Sequence, residues 1–154
     1  MKRTLLYITL IACLAAASCG RRERDAALVE RTFTADTWER FDYVNKDIVV
    51  GEPTTYDLSL NISFTETYPY DDFSMVFTVF SADGMPYRSR AYKFKLKSPD
   101  GSWNSQLADG CYTFELPINK AFQITEAGTY KFQIEYRMPI TPIVGVRCLS
   151  LVAN

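Results

Sequence analysis

Among its 154 residues the chain has no histidine at all. That absence removes the commonest general base, the commonest metal ligand and the usual partner of a serine or cysteine nucleophile. A Gly-rich phosphate loop, a CxxC pair and a nucleophile elbow are missing as well. We therefore expect no catalytic constellation, no enzyme, no metal and no cofactor. An excess of positive charge is also lacking: 17 Lys and Arg stand against 18 Asp and Glu. A nucleic-acid surface needs clustered net positive charge, so nucleic acid is not an expected partner. No apolar run reaches the ~20 residues that cross a bilayer as a helix. Internal repeats and low-complexity tracts do not occur.

What is present begins with a leader. An apolar run from Leu5 to Ala17 follows Lys2 and Arg3 and breaks at "CGRRERD". A basic start, a short apolar centre and small residues before a cut site mark a secretory signal. Ala16-Ala17-Ser18-Cys19 has the form of a lipobox, in which the cysteine becomes the lipidated first residue. Leu10-Ile11-Ala12-Cys13 is a rival, but a cut there would leave a very short apolar region and an apolar mature end. The expected organisation is a signal peptide over 1–18, a lipidated Cys19 opening a tether over 19–32, and one folded domain over 33–154. One acyl chain binds a membrane reversibly and several anchor stably, at about 0.8 kcal/mol per buried methylene. The membrane is then a partner through the palmitate-like lipid alone. Gly20 is not the aspartate that favours inner-membrane retention, and "GRRERD" holds no dense acidic run. The expected place is the outer membrane, with the domain facing the periplasm.

With the leader gone and Cys19 acylated, Cys111 and Cys148 remain. An exported compartment permits a disulfide between them, and pairing depends on geometry. A disulfide and two free buried thiols both stay open.

From Trp38 onward the apolar pattern has period two. "TYDLSLNISFT" sets Tyr56, Leu58, Leu60, Ile62 and Phe64 on one face and polar residues on the other, as in a strand with one wet face. "DFSMVFTVFSADG" is apolar on both faces and fits a central strand. "YRSRAYKFKLK" places Tyr92, Phe94 and Leu96 inward and Lys93, Lys95 and Lys97 outward. "GTYKFQIEYRM" alternates Tyr130, Phe132, Ile134 and Tyr136. "IVGVRCLSLV" offers Val144, Val146, Cys148 and Leu149 or Leu151 to the core. Asp-Gly pairs at Asp83, Asp100 and Asp109 supply the positive φ of tight turns. Seven to eight antiparallel strands at this spacing predict an all-β, immunoglobulin-like sandwich. In "EAGTYKF" a glycine two residues before a tyrosine resembles a tyrosine corner; a tyrosine that only packs is the other reading.

Two features are candidates for contact. "TYPYDDF" gives an aromatic platform with an acidic rim, Tyr68, Tyr70, Asp71 and Asp72, which with Trp103 suits a partner protein or a glycan. The bland alternative is a turn whose tyrosines cover the sheet edge. Adjacent strand residues point opposite ways, so Asp71 and Asp72 cannot act as a glycosidase pair. The basic ladder Arg88, Arg90, Lys93, Lys95 and Lys97 reads first as an edge strand protected from stray pairing, and second as a seat for an anionic partner.

Several pieces, in this order and behind a lipobox, resemble the gliding-motility lipoprotein GldH of Bacteroidetes. They are Phe33 ahead of Thr34 to Trp38, Tyr68 to Tyr70, "SPDGSW" at Ser98 to Trp103, "EAGTYKFQIEYRM" at Glu126 to Met138, and "IVGVR" at Ile143 to Arg147. Two departures are a tail, "CLSLVAN", more apolar than the charged ending expected, and a short loop between Met138 and Ile143. The resemblance implies a non-enzymatic cell-envelope lipoprotein that works with other envelope proteins of the gliding machinery, which is linked to type IX secretion. The alternative is a periplasmic β-sandwich that binds glycan or peptidoglycan.

Overall fold

A computed structural model describes residues 27–154; Cys19 and the leader lie outside the described residues. These described residues form eleven strands. They are β1 (Ala27–Thr32), β2 (Thr37–Trp38), β3 (Val44–Val50), β4 (Thr54–Phe64), β5 (Asp72–Phe80), β6 (Pro86–Lys95), β7 (Leu107–Ala108), β8 (Cys111–Ile124), β9 (Gly128–Tyr136), β10 (Ile143–Val144) and β11 (Val146–Ala153). One short 3-10 turn, Thr34–Asp36, sits between β1 and β2.

Pairing is nested. β1 pairs with β11, β3 with β9, β4 with β8 and β5 with β6, all antiparallel. The chain is thus one long hairpin whose tip is the turn at 81–85. The hairpin is then rolled, so that β11 also meets β4 and β5 also meets β9. Two sheets result, in the orders β1-β11-β4-β8-β7 and β3-β9-β5-β6, with β2 and β10 as a two-stranded clip. This nested order of eight main strands is that of a jelly roll.

Period-two patterning decides which side is buried. Leu58, Leu60, Ile62 and Phe64 of β4 point inward, opposed by Phe73, Met75, Phe77 and Val79 of β5. Tyr130, Phe132, Ile134 and Tyr136 of β9 are all buried as well. Rings meet across the gap: Phe122 of β8 lies 6.3 Å from Phe77 and 6.2 Å from Phe132, and Phe64 lies 5.6 Å from Phe73. The two sheets therefore share one core.

Several expectations need correction. The strands number eleven rather than seven to eight, because three two-residue pieces (β2, β7, β10) have no room for alternation. The immunoglobulin order would keep the last strand in the same sheet as the one before it. Here residues 137–145 carry the chain over the end of the molecule, and β11 joins β1 and β4 instead of β9. The tether was expected to run to Thr32, yet Ala27–Thr32 is β1. As an edge strand with a register break it buries only Val29, so no alternation shows. Val144 is exposed and Cys148 faces outward with Ser63, its ladder partner. A bulge between Val146 and Cys148 resets the phase, leaving Val146, Leu149 and Leu151 in the core. The candidate disulfide is not formed: Cys111 and Cys148 are free. The whole of β4 lies between β11 and β8, a separation of about 9–10 Å across two ladder spacings, beyond the ~7 Å that a disulfide tolerates. The tyrosine corner, by contrast, is present: the Tyr130 hydroxyl donates to the Glu126 carbonyl at 3.0 Å.

Candidate interaction surface at the long-loop end

The nested hairpin sorts its connections by length. Residues 33–43, 65–71, 96–110 and 137–145 gather at one end of the two sheets, and among the described residues the short turns 51–53, 81–85 and 125–127 close the other.

Asp36 organises the long-loop end. Ala35 and Asp36 both hold left-handed backbone, at φ 52° and 51°, a region that aspartate tolerates better than most residues. The Arg147 guanidinium donates twice to the Asp36 carboxylate, at 3.0 and 3.1 Å, and once to the Asp109 carbonyl at 3.2 Å. This two-pronged bond holds the Asp36 carboxyl below its ordinary range, against a smaller opposing effect of burial. The Phe33 amide donates to the Arg147 carbonyl at 2.9 Å and the Gly145 amide to the Asp36 carbonyl at 2.8 Å. Gly145 also accepts from the Thr65 amide at 2.8 Å. Its backbone runs directly against Tyr68: a Cβ placed there would stand 2.6 Å from the Tyr68 Cα. No residue but glycine fits.

Tyr68 is itself core, 1% exposed. Its hydroxyl donates to the Asp72 carbonyl at 2.7 Å and its ring lies 4.5 Å from Phe64. Burial, then the nearby Asp72 and Tyr70, push its ionisation far above the usual tyrosine range. Trp103 stacks flat on Tyr112 at 4.4 Å, with the Lys97 ammonium 4.6 Å over its ring. The same ammonium donates to the Tyr68 carbonyl at 3.3 Å. "YPY", "SPDGSW", "IVGVR" and the segment around Asp36 thus interlock.

This arrangement corrects the aromatic platform. Tyr68 cannot meet a partner. Tyr70 is half-buried, edge-on to Tyr68 at 5.5 Å, and Trp103 is half-buried under Lys97. Asp72 takes Lys93 at 3.0 Å, and only Asp71 is largely exposed, with Lys97 3.9 Å away. The basic ladder also divides: Lys97 turns into this cluster, while Arg88 and Arg90 share the inward-facing side of β6 with Tyr92.

The neighbouring surface went unread in the sequence. Phe41 is 67% and Ile140 64% exposed, and Tyr43 is exposed as well. Phe41 holds φ 63°, an outlier for a bulky side chain. Arg40 covers its ring at 4.7 Å, and the Trp38 indole N–H pins the loop to the Asp42 carbonyl at 2.6 Å. Phe41, Tyr43, Arg137 and Met138 line a cavity of about 240 Å³. Tyr136 lines it too. Its buried hydroxyl has no hydrogen-bond partner among the described residues, and burial, then Glu39, raises its ionisation range. Exposed aromatic rings beside a cavity walled by Arg40, Asp42, Glu135 and Arg137 suit a side chain supplied from outside. The signal was "WERFDY" and "MPITP": large apolar residues among charges and prolines, outside any alternating run.

No protein with a curated description matches the chain. Among solved structures, a chain from "Infectious Bursal Virus Derived T=1 Particles" aligns with 84% of this chain at 13% identity and a TM-score of 0.25, a likeness too low to carry an argument. This chain spans 31% of that one. A family described as GldH lipoprotein matches residues 29–149. That stretch runs from β1 to β11 and takes in every loop of the long-loop end, so the chain belongs to the GldH lipoprotein family.

Proposed function

We propose that the protein is a non-enzymatic assembly module, anchored by lipid at Cys19 in the outer membrane and facing the periplasm. Its long-loop end holds or places another envelope protein of the gliding or secretion machinery. The observation that carries this reading is the pair of exposed aromatic residues Phe41 and Tyr43 at a cavity that Arg40, Tyr136 and Arg137 also line, with Ile140 exposed between two further lining residues, Pro139 and Thr141. Aromatic residues and arginine lead at interface hot spots, and an exposed left-handed phenylalanine is poorly explained by stability alone. Chain direction supports it. β1 starts at Ala27 beside Val152 and delivers the chain to the long loops at Phe33. A lipid at Cys19 therefore joins the opposite end, through a stretch that reaches at most about 30 Å when extended. The patch then points away from the membrane that holds the chain.

Glycan binding is the weaker reading, because Tyr68 is buried and both Tyr112 and Lys97 lie on the Trp103 ring. The test is crosslinking in intact cells with a Phe41→Ala/Ile140→Ala variant, read by mass spectrometry. Recovery of envelope partners should fall at least tenfold while the strand signature in circular dichroism is unchanged. Wild-type recovery would reject the surface. Retention on purified peptidoglycan that free oligosaccharide reverses would favour the glycan reading instead.

A further inference from the structure

A second surface lies along the open side of the roll, independent of the long-loop reading. β6 is the edge of its sheet, and facing it across the gap between the sheets runs β8. Two phenols bridge this seam. The Tyr92 hydroxyl donates to the Ile118 carbonyl at 2.7 Å and the Tyr87 hydroxyl to the Gln123 carbonyl at 3.3 Å. Between the bridges the seam opens into a cleft of about 400 Å³ with Phe77 and Phe122 as floor and Arg88 and Arg90 as walls. The arginines are the ladder partners of the inward-facing Val79 and Phe77, so they point to the core side of the strand. Each guanidinium rests on a ring: Arg88 lies 5.5 Å from the Phe122 centroid and Arg90 5.3 Å from that of Tyr92. A bulge in β8 shapes the far wall. Ala121 sits at φ 57° with its amide bonded to the Asp57 carboxylate at 2.7 Å, and the register with β4 shifts there.

From Pro86 to Lys97 the chain holds Arg88, Arg90, Lys93, Lys95 and Lys97 and no acidic residue. Lys93 and Lys97 have carboxylates near them, in Asp72 and Asp71. Among the described residues neither Arg88 nor Arg90 forms an ion pair, and no carboxylate lines the cleft. Edge protection accounts for basic residues that stand out into water. It gives no reason for two arginines laid on aromatic rings over an open apolar cleft.

We infer that β6 receives an extended acidic segment of a partner protein as an added strand. Its carboxylates, at alternate positions on the side facing the cleft, meet Arg88 and Arg90. The free backbone of the ten-residue strand supplies main-chain hydrogen bonds, and bidentate arginine–carboxylate bonds supply the choice of sequence. A dicarboxylate alone would use the arginines but leave the strand edge untouched.

The test uses the full mature chain and a fluorescent eight-residue peptide of alternating Glu and Thr, with a Lys/Thr peptide and glutarate as controls. The Glu/Thr peptide should bind and slow amide exchange within Pro86–Lys95, and the Lys/Thr peptide should do neither. Arg88→Gln/Arg90→Gln should weaken binding at least tenfold, and either single change severalfold. Absence of Glu/Thr binding at low salt overturns the proposal. So does undiminished binding by the double variant, or glutarate competing fully while the peptide leaves β6 exchange unchanged, which would mark a small-anion site.

Discussion

The two ends of this molecule are built from the same strands and by different means. At the short-turn end, 81–85 and 125–127 are closed by bonds within a few residues. The Ser81 amide donates to the Met85 carbonyl, Gly84 to Ser81, and the Tyr130 hydroxyl to Glu126. At the long-loop end, contacts span the chain: Asp36 with Arg147, Gly145 with Thr65 and Tyr68, Lys97 with Tyr68, Met138 with Ser74. Local closure is modular, and a fault there stays there. Interlocked closure is cooperative, and a fault in one loop reaches the other three. It also spares surface: the interlock fixes the backbone of 33–43 and 137–145, so that Phe41 and Ile140 can be exposed without the loops collapsing over them.

One methyl group added at each end separates the two modes of closure most strongly. Gly145 and Gly84 both hold left-handed backbone, at φ 84° and 79°. An alanine at either position meets the left-handed penalty of ~1–2 kcal/mol. At Gly84 the new Cβ meets nothing within 4 Å, whereas at Gly145 it overlaps the Tyr68 backbone. Gly145→Ala should therefore cost ~3 kcal/mol or more and lower the melting midpoint by about 10 °C or beyond. Gly84→Ala should lower it by only a few degrees. Calorimetry of the two variants decides, and equal losses would mean that the long-loop end is no more interlocked than a turn.

The same contrast explains what the sequence disclosed. Strands β4, β5, β6 and β9 and the Asp-Gly turns were legible because period two and positive φ are local properties of a few neighbouring residues. The order of the strands was not. Nothing near β11 records that it pairs with β4 rather than β9, since that choice is made by residues far apart in the chain. The motifs at Tyr68, Trp103 and Gly145 were visible as unusual stretches, but their burial depends on one another. An exposed tyrosine and a core tyrosine read alike until Gly145 is known to lie beneath. Phe41 and Ile140 were missed for the opposite reason: a lone apolar residue in a charged loop breaks no pattern.

A smaller test compares the two tyrosine ties. Tyr68→Phe keeps the ring against Phe64 and removes the donor to the Asp72 carbonyl. Tyr130→Phe does the same to the Glu126 carbonyl, which sits in an exposed turn. Leaving a buried acceptor unsatisfied costs ~1–3 kcal/mol, but water can replace the lost donor in the turn. Denaturant unfolding should show Tyr68→Phe losing about 1–2 kcal/mol and Tyr130→Phe less than about 1 kcal/mol.

The smallest effect concerns charge. Asp36 at the long-loop end and Asp83 at the short one both have carboxyls held below the ordinary 3.8, the first chiefly by Arg147, the second chiefly by the Ser81 hydroxyl. A carboxyl depressed in the fold adds stability that is fully present above its unfolded value and is lost as pH falls through its folded value. Because both partners of the Asp36–Arg147 pair are open to solvent, screening leaves its contribution at neutral pH small. Asp36→Asn should therefore melt slightly below wild type at pH 7, and the two proteins should converge once the pH has fallen through the folded range of the Asp36 carboxyl, below the ordinary 3.8. The ends differ in what else follows. Asp36 fixes Gly145 through its own carbonyl, so loss of its carboxylate should also quicken amide exchange at Thr65 and Gly145. Asp83→Asn should quicken exchange only within 81–85. If Asp36→Asn leaves exchange at Thr65 unchanged, the long loops are held by backbone and packing alone, and the ion pair merely decorates them.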